Sequence, residues 1–113
     1  MEVGVDIEEI SRFVDKSKTF IDRIYTELEI EYCSSKANPE RHFAARFCAK
    51  EAIIKALNSL GIAQPSFKEM EIYNNEKGCP FVRLPKGYEH LKVDISLSHD
   101  KNKAIAFVVI NKT

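Results

Sequence analysis

The spacing of hydrophobic residues divides the chain into a helical first half and a strand-rich second half. The segment "EVGVDI" is β-branched and alternating, so it predicts a first strand that ends near Asp6. Apolar residues then recur at helical spacing over 10–14 and again over 20–24, with "DKSK" between them as a break. The pattern therefore predicts one strand followed directly by short helices.

Two capping signals begin the later helices. In "TELE", the Thr26 hydroxyl and the Glu29 carboxylate can form a capping box, which predicts a helix ending near residues 34–35. In "NPE", Asn38 is suited to the N-cap, and Pro39 to the first helical position, where a missing N–H has no cost. The chain therefore has a second helix start just before its most apolar helical segment.

The long helix predicted from this start runs to Leu60, and Gly61 is its natural C′ residue. One face is a stripe of large side chains, made of Phe43, Phe47, Ile54 and Leu57. A second face is small, made of Ala45, Ala49, Ala52 and Ala56. We expect the large stripe to pack against a sheet and the alanine face against other helices. The charges of Glu51 and Lys55, on the narrow strip that remains, need an explanation.

After Pro65 the period changes from that of a helix to that of strands. The segment "FKEMEIY" alternates, "NNEKG" reads as a turn, and "CPFVRL" reads as the returning strand of a hairpin. "VDISLSH" alternates again, and "AIAFVVI" is an apolar run that is either buried on both sides or part of a subunit contact. The fold class predicted is α+β: an N-terminal strand and helices, with one long central helix packed on a small antiparallel sheet.

Length and composition limit the classes of function. We expect one domain over residues 1–113, because 113 residues with 44% hydrophobic content suffice for one modest core. The formal net charge is zero, which argues against a nucleic-acid-binding domain. Charge is unevenly distributed, with a net −5 over residues 1–31 and +5 over the remainder. A basic docking patch in the first third would therefore have to be local.

The cysteines and the apolar runs indicate where the protein works. Cys33, Cys48 and Cys79 are odd in number and lack C-x-x-C spacing, so they suggest neither a disulfide framework nor a zinc site. No apolar run approaches the roughly 18 residues that a membrane span needs. We expect a protein of the reducing cytoplasm without membrane association.

Two acidic residues are candidates for metal binding. Asp6 at a strand end and Glu51 on the long helix would supply hard oxygen ligands for Mg²⁺, with a substrate's phosphates completing the site. Lys50 and Lys55 would offset further phosphate charge. The alternatives are that Asp6 only caps the next helix, and that Glu51 only pairs with Lys55 four residues later.

Other polar residues have simpler structural explanations. His99 shares the parity of the apolar residues in "VDISLSH", which favours a packed core histidine over a ligand or a base. Gly78 and Pro80 fit ordinary turn chemistry. The basic residues of the early helices fit a solvated face: Arg12, Lys16, Lys18 and Arg23.

Three segments nevertheless match one family in order and spacing. "GVDIEEISRF", "RFCAKEAIIKAL" and "ISLSHD" resemble the signature blocks of the holo-acyl-carrier-protein synthases, which are small 4′-phosphopantetheinyl transferases. The hairpin segment "EIYNNEKGCPFV" is similar to the family's strand, Gly-x-Pro turn and strand. The resemblance spans nearly the whole chain.

The resemblance implies a reaction and a set of site residues. Such enzymes move the 4′-phosphopantetheine arm of coenzyme A to a serine of apo acyl carrier protein in fatty acid biosynthesis, releasing 3′,5′-ADP with Mg²⁺ as cofactor. It implies that Asp6 and Glu51 ligate the metal and that Lys55 lies near phosphate, so that these three are catalytic. It also implies coenzyme A contacts from Arg46, Lys55, Gly78, Pro80 and His99.

The resemblance further implies an assembly and a docking surface. The family is homotrimeric with active sites between subunits, and it receives the carrier on basic residues matching Arg12, Arg23 and Lys16. The loop "NSLGIAQ" has less glycine than the family's Gly-Thr-Gly-like loop. An alternative of another class is a module that binds a nucleotide or a carrier protein without turnover.

Overall fold

The computed structural model describes residues 1–113 and confirms the α+β class. Its three helices and five strands are β1 Glu2–Glu9, α1 Lys18–Ile24, α2 Glu27–Ser34, α3 Pro39–Ser59, β2 Glu71–Asn74, β3 Pro80–Arg83, β4 Leu91–His99 and β5 Lys103–Lys112. Short 3₁₀ turns cover Ile10–Phe13 and Phe67–Glu69.

The strands form two antiparallel sheets. One has the order β1-β5-β4, so β5 is the central strand, and β2 pairs with β3 as a separate hairpin. Alternate residues of β5 are buried against the core: Ala104, Ala106, Val108 and Ile110. Ile105 and Phe107, which point to the other face, are exposed. The apolar run is therefore buried on one face only in the single chain.

Helix α3 lies very close to β1 at Gly4. A Cβ placed on Gly4 would be 2.0 Å from the Ala52 carbonyl oxygen and 3.2 Å from Val108 Cγ2. No real Cβ tolerates the first distance, so glycine at this position lets the strand and the helix backbone approach each other. Gly4 therefore controls the spacing between β1 and α3.

The two faces of α3 pack the opposite way from the sequence prediction. Ala52, on the alanine face, meets the sheet at Gly4, whereas Phe47 of the large stripe packs on Phe13, Phe20 and Phe67. These three aromatic residues belong to α1 and to the 3₁₀ turns. The prediction was wrong because helical periodicity separates the faces of a helix but does not identify their partners.

Two element boundaries also differ from prediction. β1 continues past Asp6, because its pairing with β5 extends to Glu9 opposite Lys103. The alternating segment 67–73 begins as a 3₁₀ turn, because the Glu69 carboxylate accepts hydrogen bonds from the Ser66 backbone N–H and hydroxyl. Local side-chain capping therefore prevents strand pairing before residue 71.

The predicted caps are mostly confirmed. Thr26 and Glu29 form the reciprocal capping box. Gly61 has a positive φ of 73°, and its N–H bonds to the Asn58 carbonyl, as expected at the C′ position after α3. Asn38 lies at the N-cap, but its side chain makes no capping hydrogen bond.

A buried ion pair between Lys50 and Glu29 connects α3 to the rest of the molecule. Lys50 Nζ donates to Glu29 Oε1 at 2.7 Å, and also to the backbone carbonyls of Ile24 and Phe67. Glu29 Oε2 accepts from the Ile72 N–H at 2.8 Å. Both side chains are fully buried, so Lys50 is not available to a phosphate, contrary to the sequence prediction.

We expect Lys50→Met to destabilise the fold by about 3–5 kcal/mol, because it leaves the Glu29 carboxylate buried without its cation. Urea unfolding measures the change, and Lys68→Met, at an exposed lysine without an ion pair, is the control. Adding Glu29→Gln to Lys50→Met should recover part of the loss. A loss below about 1 kcal/mol in Lys50→Met would show that the pair does not support the fold.

Candidate active site

Asp6 lies between the sheet and α3. Because strand side chains alternate, Asp6 shares its face with Gly4, the face covered by α3. Its side chain is only 10% exposed, and Lys55 Nζ donates to its Oδ1 at 3.2 Å and to the Val5 carbonyl at 2.9 Å. Its other oxygen, Oδ2, is buried and has no hydrogen-bond partner. Asp6 therefore has a carboxylate oxygen free to bind a cation.

Glu51 faces Asp6 from α3. Burial raises the pKa of Glu51, the charge of Asp6 raises it further, and Lys55 opposes both effects. Lys55 forms its ion pair with Asp6 and none with Glu51. The simpler explanations fail, because Glu9 rather than Asp6 occupies the N-cap of the following turn, and Glu51 is not paired four residues along its helix. Strand and helix thus bring Asp6, Glu51 and Lys55 together.

Glu8 is a third carboxylate that sequence reasoning missed. Burial and the neighbouring Asp6 carboxylate raise the pKa of Glu8 to about 7, and the charge of Glu51 contributes in the same direction. Its side chain is 11% exposed and pairs with the Arg12 guanidinium at 2.8 Å. The signal was present in the sequence, because residues 6 and 8 of a strand share a face.

The donor set fits Mg²⁺. No group of three His, Cys, Asp or Glu side chains is arranged to hold a metal ion by itself. Protein Mg²⁺ sites commonly use one or two carboxylates, with phosphates and water completing the octahedron. The unpartnered Oδ2 of Asp6 and the neighbouring Glu51 supply such a pair. The residues present are those that a Mg²⁺–phosphate site requires.

Arg46 lies at a separate groove. It is 3% exposed, its Nη2 donates to Asn74 Oδ1 at 2.7 Å, and its guanidinium lies 4.2 Å from the centre of the Tyr32 ring. Its Nε is buried without a partner. The groove has a volume of about 470 Å³ and also contains Arg83, which is stacked 3.8 Å over Tyr73. Two cations and two aromatic rings suit a planar or phosphorylated ligand.

The predicted site residues of the hairpin turn and of β4 form no hydrogen bond or ion pair with Asp6, Glu8 or Glu51, which we call the acidic cluster. Gly78 has a φ of 84°, and its carbonyl accepts a hydrogen bond from Asn74, which also binds Arg46. Pro80 begins β3. His99 is exposed at the end of the edge strand β4, so the core-histidine prediction was wrong. No hydrogen bond or ion pair joins Gly78 or His99 to Asp6 within the chain.

The basic residues of the early helices differ in their availability. Arg12 is 63% exposed and pairs with Glu8. Lys16 lies 4.7 Å from the centre of the Phe20 ring. Arg23, in the last turn of α1, is exposed and forms no ion pair. Arg23 can therefore form a new ion pair without breaking one. Arg12 would have to leave the Glu8 carboxylate before it could pair with another acid.

Known proteins of one family match this chain over almost its whole length. A model of the 4′-phosphopantetheinyl transferase superfamily matches residues 2–108. A holo-[acyl-carrier-protein] synthase of Thermodesulfovibrio yellowstonii is 47% identical, covering 96% of both chains, and one of Chlorobaculum parvum is 42% identical, covering 97% of both.

Solved structures agree with the sequence matches. A holo-(acyl-carrier-protein) synthase from Bacillus anthracis, in complex with CoA (3′,5′-ADP), has a TM-score of 0.83 and 31% identity, covering 99% of this chain and 96% of that one. The Helicobacter pylori enzyme, in complex with coenzyme A, has a TM-score of 0.81 and 33% identity, covering 96% and 99%.

The fold and the site thus define a transferase of the 4′-phosphopantetheinyl transferase superfamily. Within that superfamily, the chain belongs to the holo-[acyl-carrier-protein] synthase family. The resemblance found in the three sequence blocks is confirmed. No helix of the chain is both long enough and apolar enough to cross a membrane.

The acidic cluster predicts a pH dependence of stability in the metal-free protein. The pKa of Glu8 rises from 4.5 to about 7 on folding, so the folded state binds the Glu8 proton more tightly than the unfolded state does. The stability that this proton contributes is fully present below pH 4.5. The free energy of unfolding should therefore fall as the pH rises through about 7. Urea unfolding in EDTA at pH 5 and pH 8 should show a smaller fall for Glu8→Gln than for the wild type; equal falls would contradict the assignment.

Proposed function

We propose that the protein transfers the 4′-phosphopantetheine arm of coenzyme A to a serine of apo acyl carrier protein and releases 3′,5′-ADP. The observation that carries this proposal is the convergence of Asp6 and Glu51 from strand and helix beside Lys55. The relatives support it, because they are named for this carrier and two were solved with coenzyme A or its 3′,5′-ADP part. We propose that this reaction serves fatty acid biosynthesis, and the acyl carrier protein in the relatives' names supports that role.

Asp6 and Glu51 would hold Mg²⁺, which would polarise the pyrophosphate and stabilise the departing 3′,5′-ADP. Lys55 is half exposed and held by Asp6 Oδ1 and one carbonyl, so its ammonium can turn to a phosphate oxygen. In the reaction the serine oxygen bonds to phosphorus as the bridging P–O bond breaks, and the hydroxyl proton is released. The protein acts mainly by positioning groups and neutralising charge.

The remaining coenzyme contacts are proposed at the groove and the turn. Arg46, with its unpartnered Nε, is the residue best suited to a phosphate of the coenzyme. The Asn74 side chain orders both Arg46 and Gly78, so the turn before Pro80 and the groove form one continuous wall. His99 and its neighbour Lys103 line a small cavity of about 220 Å³ at the end of β4. Both can donate hydrogen bonds to phosphate.

A carrier mass-shift assay tests the proposed function. With coenzyme A, Mg²⁺ and apo carrier, turnover adds about 340 Da to the carrier, whereas a non-catalytic binding module adds nothing covalent. Asp6→Asn and Glu51→Gln should each lower kcat by about 100-fold or more while circular dichroism remains unchanged. Glu27→Gln, an exposed carboxylate at the start of α2, is the control. Near-normal transfer in Glu51→Gln would refute the metal assignment.

We also propose a homotrimer with active sites between subunits. The outer face of the central sheet exposes contiguous large apolar residues: Val3, Val5, Ile7, Ile105 and Phe107. A patch of this kind on a chain with a small core favours burial against another copy. His99 lines a cavity together with Ile7 and Ile105 of this apolar face, so a neighbouring subunit packed on the face would lie beside His99.

Phe107→Asp should dissociate the trimer, because it places a charge at the centre of this face. Light scattering should then report the 12.9 kDa monomer, with transfer lost and secondary structure retained. Val14→Asp, an equally exposed apolar residue outside the sheet, should leave the assembly intact. A fully active wild-type monomer would refute the proposal.

Carrier docking is proposed on Arg12, Lys16 and Arg23. Arg23 is exposed and unpaired, and the other two lie on the same early segments. Carrier proteins are typically acidic, so a local basic patch within an otherwise acidic third of the chain would attract them at short range. The cytoplasm is the proposed location, which the three free cysteines support.

A further inference from the structure

Arg46 is a buried cation that no carboxylate neutralises. It is held by two neutral groups: the Asn74 side-chain oxygen accepts from its Nη2 at 2.7 Å, and the centre of the Tyr32 ring lies 4.2 Å from the guanidinium carbon. Its Nε is buried without a hydrogen-bond partner. The other buried cation of the chain, Lys50, has Glu29 as its counter-charge. Arg46 therefore keeps an uncompensated charge and an unused donor.

Two further basic residues surround the Tyr32 ring. Lys36 Nζ lies 4.4 Å from the ring centre, and the His42 ring meets the Tyr32 ring edge-on, with its centre 5.8 Å away. Neither Lys36 nor His42 forms an ion pair. Burial lowers the pKa of His42, and the charges of Arg46 and Lys36 lower it further. Three basic side chains therefore meet at one ring without an acidic partner.

An aromatic ring holds cations differently from a carboxylate. The negative face of the ring attracts a cation without accepting its N–H hydrogen bonds, and the ring carries no net charge. A carboxylate in the same place would occupy those donors and would compete with an anionic ligand. Tyr32 therefore orders Arg46 and Lys36 while leaving their charges and donors available to a phosphate.

We propose that Tyr32 is a positioning residue that holds Arg46 and Lys36 for a phosphate of coenzyme A, and that Lys36 is a further contact to that phosphate. This inference rests on the proposed function, which assigns Arg46 to a coenzyme phosphate. Tyr32 and Arg46 line the same groove, and Lys36 is exposed beside Tyr32. The flexible Lys36 side chain can therefore turn its ammonium to a ligand held by Arg46. The bound phosphate supplies the counter-charge that the chain itself does not.

Binding of 3′,5′-ADP, measured by isothermal titration calorimetry on the full chain, tests the inference without turnover. Tyr32→Leu keeps an apolar side chain but removes the ring, so it should weaken binding about fivefold to tenfold. Tyr32→Phe keeps the ring face and should bind within about twofold of the wild type. Lys36→Met should weaken binding about threefold. Lys68→Met, at an exposed lysine without an ion pair, is the control and should bind as the wild type does.

The carrier mass-shift assay separates positioning from general damage to the fold. Because Tyr32 acts on coenzyme binding and not on the reacting atoms, Tyr32→Leu should raise the KM for coenzyme A about fivefold to tenfold. It should leave kcat at saturating coenzyme A within about twofold of the wild type. A fall in kcat at unchanged KM would overturn the positioning role.

The binding data can also overturn the inference. Wild-type affinity for 3′,5′-ADP in Tyr32→Leu would refute the positioning role, and wild-type affinity in Lys36→Met would refute the added contact. Equal losses in Tyr32→Phe and Tyr32→Leu would show that the hydroxyl, and not the ring face, is responsible.

Failure of the proposed function gives a different result. If the wild type binds 3′,5′-ADP but adds no mass to the carrier, the transfer reaction is refuted, and the binding comparison still tests Tyr32. If the wild type transfers the arm and Tyr32→Leu has the wild-type KM, the function stands and only the role of Tyr32 is refuted.

Discussion

The buried ion pair between Lys50 and Glu29 fixes the orientation of the central helix, and the active-site residues depend on that orientation. Lys50 donates to Glu29 and to two backbone carbonyls, while Glu29 also accepts the Ile72 N–H. One ion pair therefore joins α3 to α1, α2, β2 and the 3₁₀ turn before β2. Consecutive helical residues point about 100° apart. With Lys50 held on one side, Glu51 is directed toward β1.

The buried acid Glu29 and the acidic cluster of Asp6, Glu8 and Glu51 differ in how well their charges are compensated. Glu29 is fully buried, yet its hydrogen bonds and its lysine satisfy it completely, so it stabilises a single packing arrangement. Asp6, Glu8 and Glu51 crowd together with fewer hydrogen bonds, and the pKa values of Glu8 and Glu51 rise as a result. Glu29 therefore stabilises the fold, whereas Asp6, Glu8 and Glu51 repel one another, and a bound cation would reduce that repulsion.

Local signals were predictable from the sequence, and long-range partners were not. The capping box at Thr26 and the C′ role of Gly61 depend on residues within one turn, so they could be inferred directly. The role of Lys50 could not, because its partner is 21 residues away. The site residues were found through the family's ordered blocks, since an acid such as Asp6 has ordinary explanations when taken alone. Parity misplaced His99, because strand alternation does not show that an edge strand ends outside the core.

The close approach at Gly4 has a consequence for how mutations in this enzyme would be interpreted. Gly4 bears no functional group, yet any side chain there would push the helix away from the strand and separate Asp6 from Glu51. A saturation library sorted by growth or turnover would therefore score position 4 among the most essential, beside residues that carry the chemistry. Only a structural measurement would reveal that Gly4 acts by setting the distance between β1 and α3. A position that tolerates no substitution therefore need not take part in the reaction.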